Sequence, residues 1–218
     1  MQAIRSNPTL SLALGALLAG GMAAPAFAQD ATGASGKHFA VTAGYAHQEP
    51  TGDGEIAGSR ADFDGSAAPT LGLSYYLNDH IAFEGWGALD GFEHRVTTAA
   101  DGKVATVDAK PYALSAQYHF RDGGATVRPF VGLGYFQSNI KHEDQDNIGP
   151  YADSHIGMST PEGPMATLGL DLNFTDKVFG RVDARYLHGG TDIAVDGAKV
   201  GEADFNPVVI GVGVGARF

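Results

Sequence analysis

The 218 residues contain no cysteine. That excludes disulfide staples and thiolate metal sites, and it is compatible with an oxidising compartment. Basic residues are scarce: 14 Lys and Arg stand against 25 Asp and Glu, for a formal charge of −11. This balance argues against a nucleic-acid partner, whose phosphates need a basic surface. The excess acid belongs to solvated loops. Long apolar runs are missing as well. After Ala28 no stretch approaches about 20 consecutive apolar residues, so the mature chain cannot cross a bilayer as helices.

The one apolar run stands at the start. Arg5 precedes Leu10 to Ala24, which leads into Pro25-Ala26-Phe27-Ala28. Small residues at Ala26 and Ala28 make an A-x-A pattern, so the expected cut follows Ala28. The stretch is short and rich in Ala and Gly, which disfavours a retained anchor. Residues 1–28 read as a cleaved secretory signal, and 29–218 as one domain.

What the chain has in abundance is alternation. In Pro207–Phe218, Val208, Ile210, Val212, Val214, Ala216 and Phe218 form an apolar row at period two, while Gly211, Gly213, Gly215 and Arg217 fall between them. A strand greasy on one face and ending on an aromatic suits a barrel wall in lipid. Seven more segments share the pattern: 39–46, 70–77, 80–88, 110–120, 127–137, 165–174 and 178–187. The third is the least regular, because Trp86 falls on the parity opposite to Ile81 and Phe83; a bulge or an inward Trp would each explain it.

Short connections follow the second, fourth and sixth segments, and long ones occupy 47–69, 89–109, 138–164 and 188–204. Short periplasmic turns with long outer loops are the asymmetry of an outer-membrane barrel. The fold class expected is all-β, an eight-stranded antiparallel transmembrane up-and-down barrel with both termini in the periplasm of a Gram-negative cell. Aromatics near the segment ends, Phe39, Phe120, Phe174 and Phe218 on one side and Tyr45, Tyr112, Tyr135 and Tyr186 on the other, form two girdles.

The second parity carries the charge. Glu84, Lys110, His119, Arg128, Asp171, Arg181, Asp183, Arg185 and Arg217 are assigned to the inward row. A bare charge facing lipid near the midplane would cost roughly 2–4 kcal/mol. Inside a narrow lumen, charges of both signs should pair, either as a stabilising plug or as a gate. Inward Gly44, Gly72, Gly132, Gly134, Gly169, Gly211, Gly213 and Gly215 either leave the lumen open or serve close packing of a curved wall.

With the strands placed, several stretches resemble the small porin-like family typified by outer membrane protein W. They are Ala43-Gly-Tyr-Ala-His-Gln-Glu-Pro50, Tyr75-Tyr-Leu-Asn-Asp-His-Ile-Ala-Phe-Glu84, Pro111-Tyr-Ala-Leu-Ser-Ala-Gln-Tyr-His-Phe120, Arg128-Pro-Phe-Val-Gly-Leu-Gly-Tyr135, Asp183-Ala-Arg-Tyr-Leu187, and the Asn206-Pro207 and Gly-x-Arg-Phe ends of the last strand. The resemblance runs in order over nearly the whole mature chain. One step departs: Gly91-Phe92-Glu93-His94 lacks the proline common there. The resemblance implies a narrow, largely apolar channel for passive diffusion of small hydrophobic molecules, with an exit through the wall. Pro69, Pro111 and Pro207 lack an N–H near outer strand ends, where the ladder could part.

Two constellations invite other chemistry. Asp153-Ser154-His155 looks like hydrolase material, but adjacent residues in a long loop are not held as a nucleophile and base must be. His142-Glu143-Asp144-Gln145-Asp146-Asn147 partly imitates a calcium loop, yet Ile148 stands where an oxygen ligand is needed. The expectation is therefore no enzyme and no cofactor. Glu84, Asp171, Arg181, Asp183 and Arg185 are the lumen or gating candidates. Tyr45, Trp86, Phe92 and Tyr135 are candidates for the mouth, and Phe218 for the C-terminal assembly signal. Expected partners are lipopolysaccharide and other outer-membrane lipids, the barrel-assembly machinery and small hydrophobic solutes. The alternative is a surface-loop receptor or adhesin, or an envelope-stabilising barrel without transport.

Overall fold

The computed structural model describes residues 33–51, 54–56, 59–63, 65–98, 102–145, 156–158, 160–195 and 198–218. Fourteen strands run through them. They are β1 (Phe39–Glu49), β2 (Gly54–Ile56), β3 (Ser59–Phe63), β4 (Ser66–Tyr76), β5 (Ile81–Ala88), β6 (Phe92–Thr98), β7 (Gly102–His119), β8 (Val127–Gln145), β9 (Ile156–Met158), β10 (Glu162–Asn173), β11 (Val178–Leu187), β12 (Gly189–Val195), β13 (Ala198–Phe205) and β14 (Val208–Arg217). Eight of these close a ring in the order β1–β4–β5–β7–β8–β10–β11–β14, and β14 returns to β1, every pair antiparallel. Closure leaves no free edge in the wall, the condition for β-structure in lipid.

The alternation sets the two faces as expected. Leu133, Leu168, Val212 and Val214 stand exposed on the outside, while Glu84, Asp171, Arg181 and Arg217 are buried within. Trp86 is buried on the inner face, so β5 needs no bulge: Gly85 and Gly87 take the outward positions around it. Lys110 differs from its expected place. It shares the parity of outward Tyr112, and its Nζ donates to the Leu89 carbonyl at 2.6 Å. A carbonyl at the rim, rather than a lumen carboxylate, holds this ammonium group.

Local chemistry fixes the short turns. The Asn78 side-chain oxygen accepts from the amides of His80 and Ile81, both at 2.8 Å, and Thr175 Oγ1 accepts from Val178 N at 2.9 Å. Such side-chain mimicry of a backbone turn suits Asn and Thr there. At the other end the connections carry more strand than expected. β7 and β8 pair as far as Ala105 opposite Gln145, β6 pairs with β7 and β3 with β6, and β12 pairs with β13 and β9. His142 to Gln145 thus belong to β8, while 146–150 and the Asp153-Ser154-His155 triplet lie outside the described residues, as do residues 1–28, the expected signal.

Candidate functional site

The lumen is layered. Towards the long-loop end, Ala46, Ala68, Trp86, Ala88, Phe92, Ala113, Phe136, Met165, Leu187 and Val209 form one buried apolar cluster. Towards the short-turn end, Ala34, Ala40, Tyr76, Ala82 and Phe179 form another. Between them lies an ionic layer drawn from four strands, β5, β10, β11 and β14.

Glu84 on β5 is the hub. Its carboxylate accepts from Arg185 Nη1 at 2.9 Å and from Arg181 Nη1, both on β11, and from Ser74 Oγ at 3.4 Å. Arg181 also grips Asp171 on β10 with two bonds, Nε to Oδ1 at 2.7 Å and Nη2 to Oδ2 at 3.0 Å. Arg185 Nε donates to Asp183 Oδ2 at 2.7 Å, and Arg217 on β14 reaches Asp171 at 3.2 Å and the Asn173 side chain at 2.7 Å. Three carboxylates (Glu84, Asp171, Asp183) therefore balance three guanidiniums (Arg181, Arg185, Arg217) in one connected network. Side-chain exposure does not exceed 8% at any of the six. Buried charges tolerate such dryness only when paired and bonded in this way.

Aromatic faces complete the cage. The Arg185 guanidinium lies 4.5 Å above the Trp86 ring, Arg181 4.5 Å above Phe130, and Arg217 4.0 Å above Phe179. Cation–π contact with desolvated guanidinium is favourable, and Arg suits it better than Lys because its plane can stack. Arg128, also buried, donates to the carbonyls of Asp79 at 2.6 Å and Arg121 at 3.3 Å, holding two short turns in place.

The glycines divide. A Cβ on Gly169 would strike Phe130, and one on Gly215 would strike Phe179, so these positions make room for rings. Gly44 and Gly213 face each other across the β1–β14 seam with backbones closer than a side chain allows. Beside the network Gly44, Gly72, Gly211 and Gly213, with Thr42 and Thr70, leave open space, a cavity of ≈ 20 Å³. This is about the room one water needs. Close packing, more than an open bore, is what the inward glycines serve.

All five lumen candidates thus meet in one network. The mouth candidates separate: Trp86 and Phe92 are buried inside, whereas Tyr45 and Tyr135 stand 55% and 41% exposed on the outer wall. Phe218 is exposed outside, stacked on Phe39 at 6.1 Å, and the two residues exchange backbone bonds at the seam. Phe130, Phe136 and Phe179 went unremarked in the sequence as lumen residues. Counting by twos from Arg128 and Arg181 would have found them. Pro69 and Pro111 each lie inside one ladder, opposite Tyr45 and Ser138, and beside the end of another, Thr70 with Ala88 and Gly87 with Tyr112, while Pro207 precedes β14 beside the pair Tyr186 with Val208.

Known proteins share this fold. A family model described as the OmpW family matches residues 35–218. Outer membrane protein W of Salmonella typhimurium is 35% identical over 165 residues, spanning 74% of this chain and 73% of that protein. The crystal structure of the outer membrane protein OprG from Pseudomonas aeruginosa superposes with a TM-score of 0.72 at 22% identity, covering 87% of this chain and 99% of that one. The solution structure of Escherichia coli outer membrane protein W gives a TM-score of 0.58 at 26% identity, covering 84% and 98%.

Proposed function

The chain belongs to the OmpW family of outer-membrane β-barrels, and we propose that it passes small hydrophobic molecules across the outer leaflet by passive diffusion. The layering of the lumen carries this reading: an apolar upper layer ends on a dry, charge-balanced plug. An apolar solute gains by leaving water for the upper layer at roughly 25 cal/mol per Å². It gains nothing by displacing ion pairs, whose breaking leaves buried charges bare. A polar solute gains no compensating hydrogen bond from the apolar side chains of the upper cluster. The design favours entry from the loop end, arrest above Glu84 and Arg185, and exit sideways into the membrane.

The orientation follows the same reading. Residues 1–28 act as the secretory signal, both termini face the periplasm, and the long loops face outward among lipopolysaccharide. The last strand, ending on Phe218, presents the chain to the assembly machinery. The loop-end strands favour a second reading, surface recognition, because β7 and β8, at 18 and 19 residues, exceed the ~9–11 that cross a bilayer. Trp86, the chain's only tryptophan, separates the two. It lies where the apolar layer meets the plug, so a small brominated hydrocarbon entering the lumen should quench its fluorescence saturably. A Trp86→Phe, Tyr118→Trp variant, reporting from the lipid side, should show only the linear quenching of partition into the bilayer. Identical linear quenching of both would favour the recognition reading.

A further inference from the structure

The short-turn end carries a feature outside the passage just described. Ahead of β1, residues 33–37 double back before the chain enters the wall. Lys37 N donates to Ala34 O at 3.1 Å and Gly36 N to Gly33 O at 2.8 Å, closing a tight turn. Its two central residues, Ser35 and Gly36, have φ of 55° and 71°, the double positive φ of a type I′ turn. Glycine adopts this freely. Serine does not, and Ser35 is the one non-glycine residue with positive φ among the described residues. An uncommon backbone state persists when its surroundings over-determine it.

Those surroundings lie across the barrel. Ser35 Oγ donates to the Gly123 carbonyl at 2.6 Å. Gly123 belongs to the turn between β7 and β8, and in the ring these strands stand on the side away from β1. The turn therefore reaches across the opening. Ala34 is fully buried in the lower apolar cluster with Tyr76, Ala82 and Phe179. The far anchor is itself drawn inward, because Asn173 Nδ2 donates to Gly123 O at 3.0 Å and Ala125 O at 2.7 Å. The fit leaves no slack: a Cβ on Gly123 would lie 2.8 Å from the Ala34 carbonyl carbon.

We propose that residues 33–37 form a latch, seated on Ala34 and fastened by Ser35 to Gly123, that closes the short-turn mouth of the barrel. The latch deepens the passage reading, on which its role in transport rests, by making the lumen blind at this end. Solute reaching the plug then has no lower exit, and the wall is the only way out. The latch is a second seal below the ionic layer, and Asn173 joins the two by donating to Gly123 O and accepting from Arg217.

Chemical access tests this without any transport assay, so failure of the passage reading would not touch it. The chain has no cysteine, so one introduced at Ala82, buried above the latch, is a unique reporter. In detergent-solubilised full-length mature protein, a water-soluble maleimide should modify Ala82→Cys at least about tenfold more slowly than Lys177→Cys, which is exposed at the same end. Deleting residues 33–36, or separately replacing Gly123→Val, should remove most of that protection while the folded barrel still migrates fast on an unheated gel. The two variants guard against either one misfolding. Rapid labelling of Ala82→Cys with the latch intact would overturn the proposal. So would unchanged protection in whichever variant folds.

Discussion

Arg185 Nη1 meets Glu84 Oε1 at 2.9 Å across the bore, for β11 and β5 stand four places apart in a ring of eight. The bond spans the diameter, and Arg181 adds a second on the same carboxylate. A barrel wall resists bending but has nothing intrinsic to fill its centre. Here the sequence fills it with balanced charge capped by aromatic faces.

That makes Glu84 the most sensitive single position in the lumen. Glu84→Gln keeps the shape and removes the shared negative charge, leaving two guanidiniums short of a partner. The expected loss is roughly 3–5 kcal/mol, read as a lower urea midpoint for the barrel refolded in micelles. A loss below about 1 kcal/mol would mean the arginines find other partners without cost.

Two barriers in series predict a specific pattern of ion conductance. Arg181→Ala with Arg185→Ala opens the plug but leaves the latch, and deleting 33–36 opens the latch but leaves the plug. In a Phe92→Asp background that wets the upper layer, neither change alone should produce sustained conductance in a planar bilayer, and the combination should. Full conductance from the arginine pair alone would show the lower mouth to be open.

On the proposed passage, a wall exit would have a preferred place. The β7–β8 seam runs on past Pro111 to Ala105 and Gln145, so parting there breaks many bonds, whereas the β4–β5 seam ends at Thr70 with Ala88, beside Pro69, and the β11–β14 seam at Tyr186 with Val208, beside Pro207. Disulfides built at Thr70/Ala88 or Tyr186/Val208 should slow hydrophobic uptake, and reduction should restore it. One at Pro111/Ser138 should have no effect. Flux indifferent to both seam-end disulfides would remove the sideways exit.

Glycine tolerance should follow backbone proximity. A Cβ on Gly44 would approach Gly213 Cα at 3.1 Å across the seam, while one on outward Gly85 meets nothing within 4 Å. Gly44→Ala should cost more than about 1 kcal/mol, and Gly85→Ala should be neutral or slightly stabilising, both read from the same urea midpoints.

Much of this was legible in the sequence because β-structure has one rigid rule, that successive side chains oppose. Given Leu168, Leu170 and Leu172 outside, Asp171 must be inside, and the same logic collected Arg181, Asp183 and Arg185. It could not say that Glu84, from the far wall, would be the common acceptor of Arg181 and Arg185, since pairing across a bore depends on shear and depth as well as parity. The strands above the membrane escaped because 89–109 and 138–164 alternate without a lipid face to make their pattern one-sided. The latch escaped for a different reason. Ser35-Gly36 is a common turn pair in any linker, and only the opposite rim gives it a purpose. Lys110 was misplaced by charge: the sense that ammonium belongs inside overrode the parity it shares with Tyr112.

The most direct measurement is uptake into liposomes holding the refolded protein, comparing a small hydrophobic solute with a polar one of equal size. The account predicts faster entry of the hydrophobic solute alone, abolished by Phe92→Asp in the upper layer with the barrel still folded. Equal acceleration of both solutes, or of neither, would contradict it.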